Sequence, residues 1–124
     1  MATLAAGMSH TTQVGKTGEE MARVFLEKLE MKFLCANWSC KLGEIDLIMR
    51  DKDELVFVEV RLRRPTSYGQ GLDTVASQKQ RKLRNTAKFY QQKMDYWGYL
   101  RFDVVSIEYE EGRKAIIEHI KDAF

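Results

Sequence analysis

Two apolar runs joined by a charged tetrapeptide constrain this chain more than any other feature. Residues 44–50 and 55–62, rich in Ile, Leu, Val and Phe, flank the polar turn Asp51-Lys52-Asp53-Glu54. That is the pattern of a β-hairpin. Side chains alternate along a strand, so Glu44, Asp46 and Ile48 share one face of the first run. Phe57, Glu59 and Arg61 share one face of the second. A turn that pairs Asp51 with Glu54 sets Asp46 opposite Glu59, Glu44 opposite Arg61 and Ile48 opposite Phe57, with Cβ atoms about 4.5–5.5 Å apart. Glu44 with Arg61 reads as an ion pair. Asp46 with Glu59 is costly, because like charges opposed among apolar neighbours destabilise a sheet. A shared proton offsets that cost, and a divalent cation does so better; hard oxygen donors at this spacing suit Mg²⁺ or Mn²⁺. The alternative is an exposed sheet face with ordinary polar residues.

The remaining segments extend this hairpin into a mixed α/β domain. Residues 15–31 repeat apolar side chains at helical spacing, through Ala22, Phe25, Leu26 and Leu29. Glu19 falls about 70° from the centre of that stripe and Glu20 about 170°, so Glu19 leans toward the sheet. Its alternative role is an acid satisfied by the helix dipole. Residues 32–38 read as a first strand, and Pro65 ends the third because it cannot donate to a ladder. A loop rich in Gly, Ser and Thr follows. Ser77 with Gln80 resembles a capping box opening a helix to about residue 94, with Leu83, Ala87, Tyr90 and Met94 buried. Residues 100–109 and 115–120 are two further strands. The order is α-β-β-β-α-β-β, a sheet of about five strands flanked by helices. Residues 1–14 lack periodicity and read as a flexible tail before a single domain at 15–124.

Composition excludes several classes. With 124 residues, 44% hydrophobic and 31% charged, the chain suits a soluble globular domain rather than a disordered one. No apolar run approaches the ~20 residues of a membrane span. The N-terminus lacks a signal-peptide pattern, so Cys35 and Cys40 are expected to be reduced thiols in a cytoplasmic protein. Those cysteines with the distant His10 and His119 make no zinc signature. The net charge of +2 conceals an asymmetry: residues 61–101 hold ten Lys/Arg and two acids, and the rest ten Lys/Arg and sixteen acids. Such a block marks either a polyanion-binding face or a solvated helix surface. Trp38, Trp97 and Tyr99 read as core or interface aromatics, and Arg101 with Asp103 as a structural pair.

Five segments carry a resemblance. They are Gly18-Glu19-x-x-Ala22, Gly43-Glu44-Ile45-Asp46-Leu47-Ile48, Phe57-Val58-Glu59-Val60-Arg61 with Lys79 beyond it, Arg101-Phe102-Asp103-Val104, and Ile120-Lys121-Asp122-Ala123-Phe124. Over residues 15–124 this order resembles the bacterial YraN family of the PD-(D/E)xK restriction-endonuclease-like superfamily, similar to archaeal Holliday-junction resolvases. The hairpin motif is specific; the helix motifs are weak alone.

The resemblance implies a restriction-endonuclease-like fold and a metal-dependent nuclease. Asp46 and Glu59 would bind Mg²⁺ or Mn²⁺, and Glu19 would complete the site. Glu44 would lie beside them. Position 61 would be the motif's lysine, and here it is arginine. Arginine is effectively always charged and cannot act as a general base, but it can stabilise a phosphate. Lys79 is a candidate replacement amine, or else a solvated lysine of the first helical turn. The expected partner is nucleic acid, DNA before RNA, held by Arg63, Arg64, Arg81, Lys82, Arg84 and Lys88, with Tyr68 as a stacking residue. Analogy with junction resolvases admits a homodimer. Two other readings stand beside the nuclease: a nucleic-acid-binding module that has lost catalysis, and a protein-interaction domain.

Overall fold

The computed structural model describes residues 10–65 and 75–124, and side chains of the first segment from Thr17 onward. Tyr68 lies outside the described residues. The elements are α1 (His10–Lys28), β1 (Lys32–Cys40), β2 (Gly43–Asp51), β3 (Glu54–Arg63), α2 (Ser77–Lys93), β4 (Tyr99–Glu108) and β5 (Ile116–Ile120). The five strands form one sheet in the order β1-β2-β3-β4-β5. Only β3 and β4 run parallel, and α2 lies in the connection between them. The expected α-β-β-β-α-β-β order and mixed sheet are therefore present.

Each face of the sheet is covered by one helix. Ala22 and Leu26 of α1 pack on Leu47, Met49, Val56, Val58, Val105 and Ile107. Leu83, Ala87 and Tyr90 of α2 pack on Ile48, Phe57, Phe102 and Val104. The central strand β3 is consequently apolar on both sides, and Leu55, Val56, Phe57 and Val58 are all at most 2% exposed. Such a strand reads as a continuous apolar run rather than an alternation. Glu59 closes the run and is itself buried.

The hairpin register is the one the turn predicts. Asp51 opposes Glu54, Ile48 opposes Phe57 and Leu47 opposes Val58. Lys52 takes the left-handed conformation, at φ 58°, that a two-residue turn requires. The ladder then ends at Leu47–Val58. Beyond it, Asp46 Oδ2 accepts the Val60 N–H at 2.8 Å, a side chain standing in for the next backbone rung. This corrects the expected Glu44–Arg61 pair. Glu44 and Arg61 are not opposed, no ion pair joins them among the described residues, and Arg61 lies beside Ser106 of β4. The expected Asp46–Glu59 opposition is likewise not a ladder pair, because Asp46 bonds Val60 instead.

Several boundaries also move. The α1 helix starts at His10, inside the stretch expected to be a tail. That first turn has no apolar stripe and extends from the packed turns, because propagation is easier than nucleation. Ser77 does not cap α2: Ala76 holds the cap position, and Gln80 Nε2 donates instead to the Val75 carbonyl at 2.7 Å. Leu29 and Met94, at the helix ends, are half exposed. Trp38 packs edge-on against Tyr90, as a core aromatic should. Trp97 and Tyr99 are 66% and 70% exposed, so neither is a core residue.

Arg101 and Asp103 do form a structural pair. The buried guanidinium donates to both Asp103 oxygens at 2.9 Å, and to Asp51 and Glu54 at the hairpin turn. Asp103 also meets His119 Nε2 at 2.7 Å and accepts the Asp122 N–H at 3.0 Å. No helix among the described residues is long and apolar enough to cross a membrane.

Candidate functional site

The site forms where the β2–β3 ladder stops, under the first turns of α2. Gly43 lets the helix come this close: a Cβ there would lie 2.7 Å from Thr86 Oγ1. Thr86 is buried and turns its hydroxyl back to the Lys82 carbonyl at 2.8 Å. With α2 seated on β2, Lys79 reaches over the sheet end and its Nζ pairs with Glu59 Oε2. On the other face, Gly18 packs against Leu62, where a Cβ would come within 2.5 Å of the leucine side chain. That close approach sets the middle of α1, with Glu19, near the same sheet end. Between β2, β3 and α2 lies a cavity of about 380 Å³ lined by Glu44, Asp46, Glu59, Lys79, Lys82 and Thr86.

Asp46 is strongly perturbed. Burial pushes the Asp46 carboxyl up to about 7. The Val60 N–H works against that rise, while Glu59, as a like charge and a hydrogen-bond partner, and Glu19, as a like charge, add to it. A buried carboxyl beside other acids favours its protonated form, as it does here for Asp46. The Lys79 ammonium is in contact with Glu59. The Glu59 side chain is 8% exposed and that of Lys79 52%, so the acid is fixed and the base reaches in from solvent.

Residues 18–107 match a family described as "Uncharacterised protein family UPF0102". The chain belongs to this family. Its relatives include UPF0102 proteins from several bacteria. One from Rhodococcus opacus is 39% identical over 94% of this chain and 100% of its own length. One from Pseudomonas syringae is 41% identical over 90% and 93%. One from Nocardia farcinica is 36% identical over 99% and 98%. UPF0102 is the YraN family, and it lies within the restriction-endonuclease-like superfamily. The matched span opens at Gly18 and contains every residue that lines the cleft.

The UPF0102 cleft gathers Glu44, Asp46, Glu59 and Lys79, with Glu19 close enough to act on Asp46. Arg61, one alternation along β3 from Glu59, is half buried, and its Nε makes no hydrogen bond. Among the described residues no three ligand side chains converge on one metal position as they stand. The donors present, buried Glu59 and half-buried Asp46 with Glu19 nearby, are of the chemical type that Mg²⁺ or Mn²⁺ takes. The basic set is divided. Lys82 faces the cleft. Arg81, Arg84 and Lys88 project from the opposite side of α2, about 140–200° round the axis from Lys79. Arg84 lies over the rings of Phe102 and Phe124, at 5.0 and 5.6 Å from their centroids. Arg63 is half buried and Arg64 exposed at the end of β3. Sequence reasoning missed Gly43 and Thr86 as the residues that seat the helix. Their signal was present, as a glycine directly before an acid-bearing strand and a threonine within an apolar helical stripe.

Proposed function

We propose that this UPF0102 protein is a metal-dependent endonuclease that hydrolyses phosphodiester bonds in DNA, with branched or recombination intermediates as the substrate class. The observation that carries the reading is the pairing of half-buried Asp46 with buried Glu59 in a cleft whose α2 wall supplies Lys79 and Lys82. An isolated acidic pair at a sheet end only destabilises the fold; a divalent ion turns it into a site.

Asp46 and Glu59 would hold the ion, with Glu19 as the third acid. When bound, Mg²⁺ or Mn²⁺ supplies Lewis-acid polarisation of a phosphoryl oxygen and activation of water. The chain's own residues do the rest. The Val60 N–H fixes one Asp46 oxygen, so that carboxylate keeps its orientation. Arg61 carries a permanent charge and stabilises the negative charge that develops on the phosphoryl group. The attacking water gives its proton to solvent or to a substrate phosphate, since arginine cannot take it. Lys82 draws the backbone to a floor that would otherwise repel it.

The test is incubation with single-stranded, duplex, flap and four-way-junction DNA and matching RNA in Mg²⁺ or Mn²⁺. Cleavage by the wild type that is lost in both Asp46→Ala and Glu59→Ala is expected. Cleavage that persists in both variants overturns the assignment.

One observation favours a second reading. Lys79 already neutralises Glu59, so the cleft holds a cation without any metal. A binding module that has lost catalysis predicts salt-sensitive DNA binding, unchanged in Asp46→Ala, with no cleavage of any substrate.

A further inference from the structure

Glu59 has a cation within its own chain. Its carboxylate sits on the central strand and is almost wholly buried, whereas the Lys79 side chain is half exposed. Of the two partners, only the lysine has room to leave. Its ammonium rides on a flexible four-carbon stem from the first turn of a helix, and the same cleft opens beside it toward Lys82. Glu59 cannot serve the ammonium and a divalent ion together at one oxygen, because the two positive charges would face each other in a poorly screened pocket.

We infer that Lys79 is an exchangeable counter-ion for the divalent metal: it holds Glu59 in the metal-free protein, leaves when the ion binds, and then presents its ammonium to a substrate phosphate in the same cleft. This rests on the metal reading above. The exchange makes the lysine and the metal competitors for Glu59, and it makes the metal and the phosphodiester cooperative. A phosphate gives the displaced ammonium a new partner, and by reciprocity each ligand then strengthens the other. The protein would bind metal weakly alone and more tightly on DNA.

Mn²⁺ titration calorimetry on wild type, Lys79→Met and Lys79→Arg tests this without reference to activity. Methionine keeps most of the stem and removes the charge, at a position exposed enough to leave the fold intact. Lys79→Met should bind Mn²⁺ about tenfold more tightly than wild type, or about 1.4 kcal/mol. Lys79→Arg, which keeps the charge, should bind like wild type. A phosphorothioate oligonucleotide that resists cleavage should tighten Mn²⁺ binding in wild type and much less in Lys79→Met. Equal or weaker Mn²⁺ binding in Lys79→Met overturns the exchange while leaving the metal reading intact. Failure of all three proteins to bind Mn²⁺, with and without the oligonucleotide, overturns both.

Discussion

At the scale of the residue, Asp46 is pulled two ways. Its Oδ2 mends the sheet by accepting the Val60 N–H, yet its charge is penalised by burial and by Glu59 and Glu19. The folded protein holds the proton up to about 7, against an ordinary value of 3.8. In that window the native state binds more protons than the unfolded one, so stability falls as pH rises. Asp46→Asn keeps an acceptor for Val60 and removes the charge. It should stabilise the protein little at pH 4 and by up to about 4 kcal/mol at pH 8, the ceiling set by a displacement to about 7. Urea midpoints at the two pH values measure this, and equal shifts at both would refute it. A bound divalent ion must displace the same proton. The rise in melting temperature on adding Mn²⁺ should therefore grow between pH 6 and 8. Asp103 is the opposite case. Burial alone would raise it, but hydrogen bonds from His119, Arg101 and the Asp122 N–H outweigh burial and hold it below the usual carboxylate range. Arg101→Leu strands that buried charge and should cost about 3–5 kcal/mol in urea unfolding.

At the scale of the element, the seat of α2 decides whether the site exists. A methyl group at Gly43 would press on Thr86 Oγ1 at 2.7 Å and on Lys82 Cε at 3.3 Å. Gly43→Ala should lower stability by about 1–3 kcal/mol, through this overpacking together with backbone strain at φ 156°. Thr86→Ala in the same chain should restore part of that loss, and a double-mutant cycle in urea reads the coupling. Strict additivity would mean that the two elements do not meet there. Element order and hairpin register were legible in sequence because they depend on periodicity and turn length, which are local. Ile48 opposite Phe57 follows from the tetrapeptide Asp51–Glu54 alone. The end of the ladder was not legible, because it depends on a side chain competing with the backbone for the Val60 N–H. The cap at Ala76 escaped for a similar reason: Gln80 prefers the Val75 carbonyl to a box with Ser77. Helical angle placed Glu19 toward the sheet without deciding its role, and Lys79 was named as a candidate amine, but its pairing with Glu59 required knowing how far α2 reaches over β3.

At the scale of the whole molecule, α2 separates the basic block into two surfaces. Lys79 and Lys82 serve the cleft, while Arg81 and Lys88 serve the outer face and Arg84 packs on aromatic rings. A linear count of charge could not distinguish these, because helical phase sets the side on which each cation appears. If DNA enters the cleft, Lys82→Ala should reduce the slope of log affinity against log salt by about 0.9, one phosphate contact. Arg81→Ala and Lys88→Ala should leave that slope unchanged. Fluorescence anisotropy with a labelled duplex across a salt series measures both. The Asp46–Val60 hydrogen bond also bears on how relatives of this chain should be compared. Selection for folding alone would retain an oxygen acceptor at position 46, which Asn supplies as well as Asp, but not the carboxylate's charge. If the proposed metal chemistry holds, UPF0102 proteins that retain it carry an acid at position 59 and Asp rather than Asn at position 46.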